Sequence, residues 1–95
     1  MSETFEYKNA SFTAKNLEAA SCQFLDEAWG VRYVEYLKNK GLPIVGIGAV
    51  KDLEDLKEDG YYRLIQKLEN GTIFKIEVWQ KEDGNSEGLA QVIEG

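Results

Sequence analysis

The apolar positions change period along the chain. Phe5 and Tyr7 alternate with polar neighbours in FEYKN (5–9), the two-residue period of a strand with one covered face. Ser11 to Asn16 holds several side chains able to cap a helix. From Asn16 the spacing turns helical. Leu17, Ala20, Ser21, Phe24 and Ala28 share one stripe, with Leu25 and Trp29 beside it, and Val31, Val34 and Leu37 extend it. Gly30 interrupts the stripe at a cost of about 1 kcal/mol relative to alanine, so the pattern fits one kinked helix or two. Lys38 and Lys40 suit the negative end of the helix dipole, Gly41 suits a left-handed cap, and Pro43 cannot continue the helix.

The second half reads as strands. IVGIGAV (44–50) has the look of a buried central strand, with glycines where a helix or neighbouring backbone passes close. The charged KDLEDLKE (51–58) reads as a short solvated helical turn with Leu53 and Leu56 tucked inward. YYRLIQKL and TIFKIEVWQ follow as two strands, EDGNSEG as a loop, and LAQVIE as the strand that closes the sheet. The expected fold is α+β: an N-terminal strand, one long or kinked helix, then a four-strand antiparallel meander packed on the helix, all in one domain over residues 1–95.

The hairpin at Glu69-Asn70-Gly71 fixes a register. A two-residue loop pairs Leu64 with Glu77 and mixes charge with core on both faces. A three-residue loop puts Gly71 at the left-handed bulge position and pairs Tyr62 with Val78, Leu64 with Ile76 and Gln66 with Phe74. That choice makes one face apolar, and a one-residue slip would turn every side chain over. The other face then sets Tyr61 opposite Trp79, Arg63 opposite Glu77, Ile65 opposite Lys75 and Lys67 opposite Ile73. One helical layer covers only one side of a sheet, so this mixed face is expected to look outward.

The order of elements resembles the layout of the cystatin fold, a strand, a long helix and a four-strand meander. The resemblance is one of layout. Cystatins carry a glutamine-x-valine-x-glycine loop, and the nearest stretch here reads Pro43-Ile-Val-Gly46. Trp79 falls inside a strand, where cystatins place a tryptophan in a hairpin. Protease inhibition is therefore not carried over.

Composition narrows the chemistry. No histidine is present among the 95 residues, which removes Ser-His-Asp and Cys-His nucleophile systems and histidine metal sites. The lone Cys22 has Glu18 and Asp26 four residues to either side, and nearby carboxylates disfavour a thiolate. Gly46 and Gly48 lack the third glycine of a dinucleotide loop, no G-K-[ST] follows, and Asp52, Glu54 and Asp55 would repel phosphate. Neither KDLEDLKEDG nor EDGNSEG has the spacing of a calcium loop. The expectation is no enzyme, no cofactor and no bound metal. No apolar run approaches the ~20 residues of a membrane span. MSETFEYKN is not a signal peptide, and a single cysteine fits a cytoplasmic setting, in a cell or a phage-infected host.

The net charge is −6, and most of the excess lies in the second half. Direct nucleic-acid binding lacks its basic footprint. The acidic cluster Asp52, Glu54, Asp55, Glu58 and Asp59 suits a basic site on a larger protein, because a row of carboxylates imitates a nucleic-acid backbone. Tyr61, Arg63, Ile65 and Trp79 add the aromatic and arginine content that protein interfaces favour. The function expected is a small non-enzymatic protein-binding domain, an inhibitor docking on a basic, nucleic-acid-binding surface, as a phage-type antagonist of a host defence or nuclease complex would. Two alternatives stand beside it. One is a small-molecule or minor enzymatic site between helix and sheet, lined by Trp29, Tyr33 and Tyr36. The other is a homo-oligomer joined through the sheet face or the C-terminal edge strand.

Overall fold

The computed structural model describes residues 5–44 and 48–93. Strand β1 spans Phe5–Thr13. Helix α1 (Leu17–Glu27) runs through a π-helical turn (Ala28–Tyr33) into α2 (Val34–Lys40). Four strands follow: β2 (Ala49–Glu58), β3 (Tyr61–Leu68), β4 (Ile73–Gln80) and β5 (Asn85–Ile93). All pairings are antiparallel and the order across the sheet is β1-β5-β4-β3-β2. This is the α+β fold expected, with the helix laid over one face of a five-stranded sheet.

The helix begins where Asn16, in extended backbone, accepts a hydrogen bond from the Ala19 amide at 2.8 Å, which satisfies one of the orphan donors of the first turn. It is a single continuous helix that passes through the π-helical turn. The buried positions show what that turn does. Ala20, Phe24 and Ala28 follow steps of four, then Tyr33 comes five residues on, and Leu37 four after it. A bond pattern of i→i+5 holds one extra residue per turn, so the step of five keeps Tyr33 and Leu37 over the sheet. The plain helical stripe through Val31 fails for this reason: Val31 is 52% exposed. Gly41 ends the helix at φ +71°, with the Leu42 amide donating to the Leu37 carbonyl, the left-handed cap that glycine makes without strain.

The β3–β4 hairpin has the three-residue loop. Tyr62 faces Val78, Leu64 faces Ile76 and Gln66 faces Phe74, Gly71 sits at φ +87°, and the Leu68 amide donates to the Thr72 carbonyl at 2.8 Å. The core is the helix-side face of this register: Leu64, Leu68, Phe74, Ile76, Val78, Ala90 and Val92 against Ala20, Phe24, Ala28, Tyr33 and Leu37. β1 joins it through a register slip between Asn9 and Phe12. Tyr7 and Phe12 are an odd number apart and would otherwise point to opposite faces. The slip turns both inward, and their rings stack on Phe24 at 5.8 and 6.0 Å.

Three expectations are corrected. KDLEDLKE is the body of strand β2, not a helical turn. Its leucines are not both inward: Leu53 is 47% exposed at a register slip, and Leu56 pairs with Arg63 on the side away from the helix. The described part of IVGIGAV is not a central strand. Val45, Gly46 and Ile47 lie outside the described residues, and with them the Val45-Gly46 half of the stretch set against the cystatin loop. Ala49 and Val50 open β2 at the edge of the sheet. What approaches Gly48 is Glu69, whose amide donates to the Gly48 carbonyl at 2.9 Å. Last, the C-terminal strand is no edge. β5 already begins at Asn85, inside the supposed loop, and lies between β1 and β4, so the free edges are β1 and β2.

Candidate functional site: the open sheet face and edge strand β2

Paired residues in an antiparallel sheet share a face, so the register sorts every side chain to one side. The face away from the helix carries Tyr61, Arg63 and Ile65 from β3 and Trp79 from β4, as expected, and nothing among the described residues covers it. The Tyr61 and Trp79 rings lie 5.6 Å apart. Tyr61 donates to Glu77 at 2.6 Å, and Lys75 sits 3.3 Å from the other oxygen of the same carboxylate. Arg63 pairs with Glu54 through its Nε. Burial raises the Tyr61 phenol above its ordinary value, and the Glu77 carboxylate that accepts from it adds to the effect.

The acidic cluster does not form one face. Strand alternation divides it. Glu54 and Glu58 stand opposite Ile65 and Tyr61 on the open side, while Asp52 and Asp55 stand opposite Gln66 and Leu64 on the helix side. Asp59 lies in the turn beyond. Several of these carboxylates are already engaged. Asp52 accepts from the Gln66 side chain at 2.9 Å, Glu54 holds Arg63, and Asp55 lies beside the Tyr62 phenol. Glu58 and Asp59 have no hydrogen-bond or ion-pair partner among the described residues.

The open face has no acidic excess. Lys8, Lys51, Arg63, Lys67 and Lys75 are matched by Glu6, Glu54, Glu58, Glu77 and Glu87, and Lys81 lies 3.8 Å from Glu87. Among the described residues the acidic excess therefore lies off this face, on the helix side and in the turns.

The helix side holds lining residues that, apart from Trp29 and Asp55, the sequence pattern did not single out for a site. The helix packs on β4 and the near part of β3, and β2 extends beyond it. A trough remains between them. One cavity of about 310 Å³ is lined by Glu18, Ser21, Cys22, Leu25, Asp55 and Tyr62, with Lys57 at its rim. A second, of about 490 Å³, is lined by Leu25, Asp26, Trp29, Val31, Ala49 and Gln66. Of the aromatic groups expected in a concavity between helix and sheet, Trp29 lines this trough, and Tyr36 lines a separate cavity of about 350 Å³ between β1 and the helix. Tyr33 is 2% exposed in the core against Phe5 and Phe74, and Tyr36 stacks beside it. The usable signal was the second stripe, Leu25 and Trp29, running beside the core stripe without joining it.

Burial and the Asp55 carboxylate push the Tyr62 phenol up to about 12. A phenol that keeps its proton longer when folded contributes stability that is complete below its unfolded value near 10 and is lost as pH rises toward 12. Urea unfolding at pH 9 and pH 11.5 checks this. The parent chain is expected to lose more stability across that interval than Tyr62→Phe. Equal losses would remove Tyr62 as the cause.

Among the described residues no helix is long and apolar enough to cross a membrane, and no group of three or more Asp, Glu or Cys side chains is placed to hold a metal ion. No family model, no curated protein and no solved structure matches this chain. The reading of function therefore rests on the surfaces alone.

Proposed function

We propose that this protein is a small non-catalytic binding domain that docks on a larger protein through its open sheet face. The observation that carries the reading is the Tyr61–Trp79 pair, uncovered and flanked by the unpartnered carboxylates Glu58 and Asp59. Paired aromatic rings on a rigid sheet supply apolar contact area at low entropic cost. The two free carboxylates beside them favour a partner with a basic surface and lend its approach a salt-sensitive rate. Occupying such a surface would exclude the nucleic acid it normally binds, which is how a domain without catalytic groups inhibits.

The test is affinity capture from lysate of the source cell and its host, eluted by salt. Trp79→Ala is expected to lose the partner at every salt concentration. Glu58→Gln with Asp59→Asn is expected to retain it but release it at lower salt. A partner held equally by both variants and by the parent would end this reading.

A further inference from the structure

The trough on the helix side is built differently from the open face. Its floor is apolar and aromatic: Leu25 lines both cavities, Tyr62 lies at one end and Trp29 at the other. Its walls are acidic. Glu18 and Asp26 stand on the helix wall and Asp55 on the strand wall, with Asp52 close by on Gln66, and Lys57 is the lone cation of the lining. Glu18 to Val31 spans about 20 Å of helix at ~1.5 Å per residue. That length takes about six residues of extended chain at ~3.3 Å each.

A second observation comes from Trp29. Its indole Nε1 is sealed from water and donates to nothing among the described residues. A buried donor without an acceptor is costly. The ring lines the second cavity, and a rotation that offers this N–H to a carbonyl oxygen in the trough breaks no existing hydrogen bond. Backbone carbonyls are what an extended peptide presents.

We infer that the trough between α1 and β2 is a binding site for an extended basic segment of another protein, in which arginine or lysine alternates with apolar residues. Charge complementarity selects this occupant. Carboxylates on both walls pair with its cationic heads, the arginine planes stack on Tyr62 and Trp29, and its apolar residues cover Leu25. An acidic segment would meet like charge on both sides. The site lies across the sheet from Tyr61 and Trp79, so it does not depend on the reading of the open face.

The probe is a fluorescein-labelled hexapeptide of alternating arginine and leucine, titrated against the full chain at physiological salt, with an alternating glutamate–leucine peptide as control. Binding of the basic peptide alone is expected. Asp26→Asn with Asp55→Asn should weaken it at least tenfold. Both carboxylates are exposed, and urea unfolding verifies that the variant still folds. Glu82→Gln with Asp83→Asn, in the β4–β5 turn outside both cavities, should change it less than twofold. In a ¹⁵N-labelled sample the indole resonance of Trp29 should shift and that of Trp79 should stay. Three results would each overturn the inference: no binding of the basic peptide, equal weakening by the two acidic pairs, or a shift confined to the Trp79 indole. The peptide titration and the Trp29 indole read the trough, and lysate capture with Trp79→Ala reads the open face, so the two readings fail separately.

Discussion

Phe24→Ala is expected to lower stability by about 3–5 kcal/mol, the range for truncating a buried aromatic ring. Phe24 is fully buried. Its ring lies between those of Tyr7 and Phe12 and reaches the backbone at Gly88. Truncation removes the contact surface of β1, α1 and β5 at one point, and neither the stacked rings nor a glycine can fill the space. For a chain of this length total stability is on the order of 5–14 kcal/mol, so the variant loses a large share of it. Urea unfolding measures the effect, with an unchanged slope showing that the folded and unfolded states keep their exposed areas. A loss under about 1 kcal/mol would mean that Phe24 does not hold these elements together.

Gly88→Ala is the second large effect, and it comes from the same place. A Cβ at position 88 would lie 2.3 Å from Cδ1 of Phe24, closer than real contacts permit. Neither partner has room to move: the ring is held between Tyr7 and Phe12, and Gly88 lies in mid-strand, opposite both Asn9 and Val78. Overpacking of this kind costs about 1–3 kcal/mol. The two substitutions are coupled. In the Phe24→Ala chain the added methyl enters the space the ring has left, so the double variant should be more stable than the sum of the single losses predicts. A coupling on the order of 1–3 kcal/mol is expected for residues in direct contact. Strict additivity would show that the close approach of ring and glycine is not the cause.

Gly88 also marks the boundary of what sequence reveals. In EDGNSEG it stands among turn-forming residues and reads as punctuation of a loop. Its actual role, admitting a phenyl ring against a strand, depends on a residue sixty-four positions earlier, which no local pattern records. The β3–β4 hairpin is the opposite case. Its two-residue alternation and the Asn70-Gly71 loop settle register, turn and outward face together, because burying one side of a sheet leaves a single arrangement. Strand β2 lost that signal twice over. As an edge strand beyond the helix it carries charge on both sides, and its register slips at Ala49–Lys51 and Asp52–Glu54 break the alternation. Leu53 and Leu56, three apart, then mimic a helical turn. The helix misled only at its π-helical turn, where an extra residue shifted the buried series from Val31 to Tyr33. Tyr61, Arg63, Ile65 and Trp79 could be placed on one face from register alone. Separating Asp52 and Asp55 from Glu54 and Glu58 required knowing that their segment is a strand.

Both free edges of the sheet are irregular. β1 slips between Asn9 and Phe12, and β2 slips twice and bears carboxylates along its length. A neighbouring copy seeking to extend the sheet would find backbone amides and carbonyls out of step and like charges facing its own. The ladder stops at five strands for that reason. A concentrated solution of this protein should stay clear and free of fibrils, although one whole side of its sheet lies open.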